Sequence, residues 1–230
     1  MFSVIFEVKP NRDRVDDYFD TAKMLRPELE QVNGFIDNIR YKSLTRDGWI
    51  LSLSGWRDEK SVVRWRSTMM HHEAQTKGRD VIFADYHLRV GEVIQDTDVP
   101  AGYALQEQRL DETEAGEGTT VTLITAKRPA QFRETSNPAD CSEFLGLNPY
   151  ASGMLSWDVF EAVLTPGDLI LLISWADRAA AEAFEKNTPD PVPAEGRLRH
   201  VRIVRDYGMF DRREAPQYFA DAASNITIHP

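Results

Sequence analysis

Ser54-Gly55-Trp56-Arg57-Asp58 and Ile173-Ser174-Trp175-Ala176-Asp177 stand 119 residues apart. The same offset carries Gly34 to Gly153, Gly48 to Gly167, Trp65 to Phe184 and Lys9-Pro10 to Arg128-Pro129. One shared Trp would mean little. Turn glycines, a proline and a Trp-x-Asp, in one order and at one spacing, indicate an internal repeat. Toward the ends the offset drifts. Gly78-Arg79 matches Gly196-Arg197 at 118, and Asp85-Tyr86 matches Asp206-Tyr207 at 121, as small loop insertions and deletions would produce.

Within the first copy, Phe2 to Val8 alternates apolar with polar or small residues, a strand signal that Pro10 ends. Asn11 is the expected N-cap of a helix over 12–31, whose apolar positions Val15, Tyr18, Phe19, Ala22, Leu25 and Leu29 recur at helical spacing. Asn33-Gly34 is a turn. Strands over 35–44 and 49–56 flank Arg46-Asp47-Gly48, and Asp-Gly between apolar runs is a strong hairpin signal. Asp58 caps a second helix over 59–74, and Phe83 to Ile94 is the last strand.

The second copy repeats the order. Val121–Ala126 is its first strand, Met154–Leu164 and Leu169–Trp175 form a hairpin around Pro166-Gly167, Asp177 caps a helix through Phe184, and His200–Phe210 closes the unit. Pro129 and Pro138 restrict its first helix to Ala139–Leu145, and Pro189, Pro191 and Pro193 stop the second early. The expected organisation is a unit over 1–97, a linker over 98–118, a degenerate unit over 119–213 and a tail over 214–230 in which Tyr218 and Phe219 pack back on the body. The fold class is α+β: two tandem ferredoxin-like βαββαβ units. Each makes a four-stranded antiparallel sheet with both helices on one face. The other face is apolar, and leaving it in water costs roughly 25 cal/mol per Å². A fused second sheet covers it at high effective concentration. The expected result is a pseudo-dimeric α+β barrel with helices outside.

Composition narrows the partners. A net charge of −10 argues against nucleic acid, because phosphate recognition wants a basic surface. Cys141 is the single cysteine, so neither an internal disulfide nor a cysteine-cluster metal site is available, which suits a reducing cytoplasm. The N-terminal apolar run is broken by Glu7 and Lys9 and reads as a strand, not a signal peptide. No stretch approaches about 20 uncharged apolar residues, so no membrane span is expected.

Gly55-Trp56-Arg57-Asp58, Trp65-Arg66, His71, Ala74-Gln75, Gly78-Arg79, Phe83, Asp85-Tyr86 and Val90 together resemble the antibiotic biosynthesis monooxygenase family of dimeric α+β barrels. The second copy resembles it less: it keeps Trp175, Gly196-Arg197 and Asp206-Tyr207 but has Asp190 where His71 falls. The resemblance implies a fold more firmly than an activity. Some members oxidise aromatic polyketides with O₂ and no metal or flavin, others cleave haem or handle quinols, and others have no known reaction. In haem-degrading members a catalytic His follows the Trp by about nine or ten residues and an Asn stands on the first strand. Here Ala74 and Gln75 occupy the former positions and Phe6 the latter, which argues against haem cleavage.

The implied activity is a cofactor-independent monooxygenase acting on a small aromatic or quinol-like substrate. In it a base removes a proton, the carbanion reduces O₂, and a dry pocket protects the intermediate. His71 is the candidate catalytic base, with a bystander role near a helix end as the alternative. Trp65, Asn38, Tyr41, His72, Arg79 and Tyr86 are the candidate substrate contacts. Trp65 is expected on the core side with Val62 and Met69, packing there or stacking a planar substrate. Asp85, Tyr86 and Arg79 are expected to form one structural network in both copies, and Asn38, Arg40 and Tyr41 to reach a pocket from the second strand. No metal site and no cofactor are expected, since adjacent helical histidines point different ways. Homo-oligomerisation is compatible with the fold. The alternative to an enzyme is a non-catalytic binding or structural protein that retains it.

Overall fold

The computed structural model describes residues 1–108, 116–129, 132, 137–187, 193 and 195–210. Its strands are β1 (Phe2–Pro10), β2 (Phe35–Ser43), β3 (Ile50–Trp56), β4 (Phe83–Asp96), β5 (Thr120–Lys127), β6 (Met154–Ala162), β7 (Asp168–Trp175) and β8 (Arg197–Gly208). They close into an antiparallel barrel in the order β1-β3-β2-β6-β7-β5-β8-β4. Each copy contributes one continuous half, so the expected eight-stranded, two-unit barrel is the architecture observed. The two seams differ: β2 meets β6 only over Tyr41–Ser43, whereas β4 runs along β8 from His87 to Asp96.

Strand alternation sorts the side chains into two layers. Ile5, Leu51 and Leu53 from the first copy and Leu123, Ile170, Leu172 and Val201 from the second fill the barrel interior. The outer faces carry the two tryptophans of the repeat: Trp56 packs with Phe2, Leu29 and Val62, and Trp175 with Cys141, Ala181 and Phe184. The covering helices are α1 (Val15–Glu30), α2 (Glu59–Arg66) and α3 (Met69–Lys77) in the first copy, and α4 (Pro138–Phe144) and α5 (Arg178–Asn187) in the second.

The repeat is visible as matched local geometry. Gly34 and Gly153 both have positive φ, at 94° and 79°. Their carbonyls accept from Arg57 N at 2.8 Å and Ala176 N at 2.9 Å. Asp58 and Asp177 then accept from Ser61 N and Ala180 N, each at 2.8 Å, the N-cap bond that starts each following helix.

Several expectations need correction. The second helix is not one piece over 59–74. It breaks at Ser67-Thr68, where the Ser67 hydroxyl bonds the Val63 and Arg64 carbonyls and the Thr68 hydroxyl that of Trp65, ending the backbone ladder. The break turns Met69 outward to 77% exposure, so it is not a core partner of Trp65. Asn11 makes no cap bond; its amide reaches Val81 O at 3.2 Å, and a 3₁₀ turn (Arg12–Arg14) precedes α1. Pro138 does not delay α4 but starts it at the first-turn position where its missing N–H is harmless, with Asn137 as cap. The α5 helix continues past Phe184 to Asn187. Pro189, Pro191, Asp190, residues 109–115 of the linker and the tail with Tyr218 and Phe219 lie outside the described residues.

Candidate active site

Residues paired across neighbouring strands share a face. On the first copy's outer face this brings together Phe6 of β1, Ser52 of β3 and Arg40 of β2, with Asn38 two residues along. Tyr18 of α1 packs onto them. The Arg40 guanidinium carbon lies 6.0 Å from the centre of the Tyr18 ring, and Asn38 Nδ2 donates to Ser52 Oγ at 3.0 Å and to Leu53 O at 3.2 Å. An aromatic wall completes the group: Phe83 is edge-on to Tyr18 at 6.2 Å and to Phe6 at 5.8 Å, and Tyr86 stands 5.7 Å from Phe6. Arg79 donates to the Tyr86 hydroxyl at 2.9 Å.

Three buried polar atoms in this layer lack a well-formed hydrogen bond: the Tyr18 hydroxyl, which has Arg40 and Ser52 beside it, Asn38 Oδ1 and Arg40 Nε. Buried polar groups are normally satisfied, so three orphans side by side call for an explanation. Among the described residues no carboxylate pairs with Arg40. Burial pushes the Tyr18 phenol up, against the pull of Arg40 beside it, so Tyr18 remains a neutral O–H donor at pH 7. The cluster thus offers a hydroxyl donor, an amide acceptor and a cation, enclosed by aromatic rings. A few convergent polar groups on an apolar wall are the usual composition of a small-molecule site.

The other candidate residues fall elsewhere. Tyr41 sits one position from Arg40 and therefore faces the barrel interior, where it is buried. It cannot share a pocket with Asn38 and Arg40. Trp65 belongs to the neighbouring cluster around Phe2, Val62 and Trp56. His71 stacks on it with ring centres 4.4 Å apart and planes at 16°, and His71 Nδ1 lies 3.1 Å from Trp65 O. A carbonyl only accepts, so Nδ1 carries the proton and Nε2 is the free base. Burial pushes His71 down to about 4, against the carbonyl bond, so the ring is neutral at pH 7. His72 is exposed. Asp85, Tyr86 and Arg79 do not form a network in both copies: in the second, Arg197 binds Asp96 at 2.6 Å and Asp206 receives His87 at 2.6 Å. Tyr18 was legible only as an apolar helix position, since nothing in its spacing shows that its hydroxyl ends up buried beside Arg40 and Ser52. Among the described residues no group of three or more His, Cys, Asp or Glu is placed to hold a metal ion, and no helix is long and apolar enough to cross a membrane.

Two fused βαββαβ halves closed into one barrel, with a polar cluster under the first half's helices, define a single-chain α+β barrel of the dimeric type. The model of the antibiotic biosynthesis monooxygenase family matches residues 1–77. A protein of Pyricularia oryzae named jasmonate monooxygenase ABM is 46% identical, in an alignment that takes in 97% of this chain and all of the relative. The chain belongs to the antibiotic biosynthesis monooxygenase family. Among solved structures, an aldoxime dehydratase superposes with a TM-score of 0.55 at 8% identity, over 90% of this chain and 83% of its own. A second, bound to butyraldoxime, gives 0.55 at 10% identity over 90% and 81%. At such identities the likeness is one of fold alone.

Proposed function

We propose that this chain is a monooxygenase of small carboxylic acids of the jasmonate type, with its active site in the first copy's helix–sheet layer. The observation that carries the reading is the whole-length 46% identity to a relative named for that substrate. The layer supports it independently. A jasmonate is a small anion with a ring ketone and an apolar body. Arg40 offers an unpaired cation, Tyr18 a neutral hydroxyl donor, and Phe6, Phe83 and Tyr86 an apolar wall. An aromatic or quinol-like substrate would use the same wall but would leave Arg40 without a counter-charge.

Arg40 holds the carboxylate, Tyr18 and Asn38 orient the polar groups of the substrate, and the rings exclude water. Arg79 positions Tyr86 through its hydroxyl. His71 supports Trp65 and is assigned no proton transfer, since a base of pKa about 4 is poorly matched to neutral pH. In the overall reaction one atom of O₂ enters the substrate and the other leaves as water. The two balancing electrons and protons come from an added reductant or from further oxidation of the substrate.

Mass spectrometry of jasmonic acid incubated with the protein under ¹⁸O₂, with and without NADPH, tests this. One heavy oxygen in the product is expected. Arg40→Met is expected to lower kcat/KM by about 100-fold, in line with the loss of a charge-assisted contact of about 1.5–3 kcal/mol and its alignment. No labelled product in either arm, or an unchanged Arg40→Met, would refute the reading.

A further inference from the structure

The barrel interior holds a cavity with an arginine that has no ion pair among the described residues, on the opposite face of the sheet from the Tyr18–Asn38–Arg40 cluster and independent of its reading. A cavity of about 310 Å³ opens at one end of the barrel between the copies. Arg199 and Tyr41 line it together with Ile39, Leu53, Thr125 and Leu169. Arg199 is 7% exposed and Tyr41 4%.

The pairing registers relate this end of the barrel to the other. Phe2 pairs with Trp56, and Thr120 with Trp175, so Ile5 and Leu123 are equivalent positions. Ile5 pairs with Arg89, and Leu123 with Arg199. Arg89 and Arg199 are therefore pseudo-twofold mates, each pointing into the barrel. By the same register Glu7 corresponds to Thr125, Ser174 to Gly55, and Asp158 to Ile39.

Arg89 has a counter-charge: its terminal nitrogens bind the Glu7 carboxylate and donate to Ser174 Oγ at 2.6 Å, although its Nε is buried without a hydrogen bond. Around Arg199 both of those partners are replaced by groups that cannot bind it ionically: a threonine stands for the glutamate and a glycine for the serine. Asp158, which holds Arg46 beside Glu7 at the other end, is replaced by an isoleucine. Among the described residues Arg199 makes no ion pair, which is what separates it from Arg89; the Nε of both is buried without a hydrogen bond. Asp37, the nearest carboxylate by its influence on Arg199, is committed to Gly55 N at 2.9 Å, and Arg197 is held by Asp96. Burial pulls the Arg199 guanidinium below its ordinary value, with Arg197 adding to the effect. Burial raises the Tyr41 phenol to about 12, so it stays protonated and able to donate.

We propose that this cavity is a binding site for a small monocarboxylate with a compact apolar body, its carboxylate taking at Arg199 the place that Glu7 takes at Arg89, with a second bond from the Tyr41 hydroxyl. A guanidinium presents a donor fork matched to a carboxylate. Ile39, Leu53 and Leu169 supply the apolar wall, and the volume is at the low end of the range for small-molecule pockets, about 300–1,000 Å³. Asp37 and Asp168 also line the cavity and are half-buried, while Asp98, Glu195 and Lys127 are exposed, where solvent screens them.

Calorimetric titration with 4-phenylbutyrate tests the site, with 4-phenylbutyramide as the uncharged control. The full chain is expected to bind the acid at least tenfold more tightly than the amide. Arg199→Met is expected to abolish that preference without lowering Tm in the absence of ligand, because it removes an unpaired buried charge. Thr125→Glu, which rebuilds the Glu7–Arg89 pair at this end, is expected to raise Tm and block the acid. Equal binding of acid and amide, no binding at millimolar acid, or binding that survives Arg199→Met but is lost in Arg40→Met would overturn the proposal. So would a fall in Tm for Arg199→Met, which would mark Arg199 as a structural residue. Arg199→Met requires no new charge to be accommodated, so the test stands even if Thr125→Glu does not fold.

Discussion

At the residue scale, His71 shows how far side-chain chemistry depends on surroundings that a sequence does not display. Its type and its place in the family pattern single it out as a base. Its half-buried place, stacked on Trp65, lowers it to about 4 against the pull of the Trp65 carbonyl and makes it a weak base at neutral pH. The sign of the resulting pH dependence is fixed. The unfolded chain binds a proton near 6.5 and the folded chain only near 4. Stability from this group is therefore full above about pH 6.5 and is lost as pH falls toward 4. At about 1.4 kcal/mol per unit, and with partial exposure reducing it, the loss is about 2 kcal/mol. His71→Phe keeps the stack without the titration. Urea unfolding at pH 7 and pH 4 should show the wild type losing about 2 kcal/mol more than the variant between the two. Equal losses would show that His71 is open to solvent. Activity of the variant at pH 7 should stay within a few-fold of wild type, which separates a supporting ring from a proton acceptor.

At the element scale, the legible features were those whose physics is local. Gly34, Gly153, Asp58 and Asp177 announce a positive-φ turn and a helix cap by residue type alone, and all four do the same work in both copies. What misled was matching letters where the two strands had diverged. The β4 and β8 strands differ in length and pair with each other, so identical dipeptides occupy different places. Gly78-Arg79 lies in a turn of π-helix before β4, whereas Arg197 is already the first residue of β8. Likewise the break before α3 arises from Ser67 and Thr68 bonding back to carbonyls, a competition that helical spacing cannot reveal. The local features make a direct prediction. A Cβ on Gly34 would stand 2.1 Å from Ser61 Oγ in a backbone conformation that alanine adopts only with strain. Burial opposes the charge on Asp58, but bonds from Ser61 and Arg57 hold it near 2. Gly34→Ala should cost about 2 kcal/mol or more. Asp58→Ala should cost about 1 kcal/mol by loss of the cap. The double variant should fall short of the sum in chemical denaturation, because both act on Ser61. Full additivity would show that the turn and the cap are uncoupled.

At the scale of the whole molecule, the repeat foretold the barrel but not its polarity from end to end. Both ends inherit an inward-pointing arginine from the same ancestral strand position. One end is closed by ions: Glu7 binds Arg89 and Arg46, and Arg46 reaches across the short β2–β6 seam to Asp158 of the second copy, which also receives Ser43. Burial works against the charge on Glu7, but Arg89 and Arg46 outweigh it and hold the carboxyl below its ordinary value. The other end keeps its arginine without the carboxylate and leaves a cavity. The ionic end therefore joins two halves that share few backbone bonds at that seam. Glu7→Gln would leave Arg89 buried without a counter-charge, and removing one partner of such a buried group costs about 3–5 kcal/mol. Because Arg46 and Ser174 bring both copies into the network, the loss should fall on the whole barrel and not on the first copy alone. Trp56 and Trp175 lie one in each half; with Trp49, Trp65 and Trp157 replaced by Phe, replacing either of the remaining two leaves a probe of the other half. Denaturation followed through each probe should give a single coincident transition in the parent and in Glu7→Gln, shifted together by about 3–5 kcal/mol. Transitions that separate in the variant, with the Trp175 half unchanged, would mean that the halves are stable on their own and that the network merely decorates their seam.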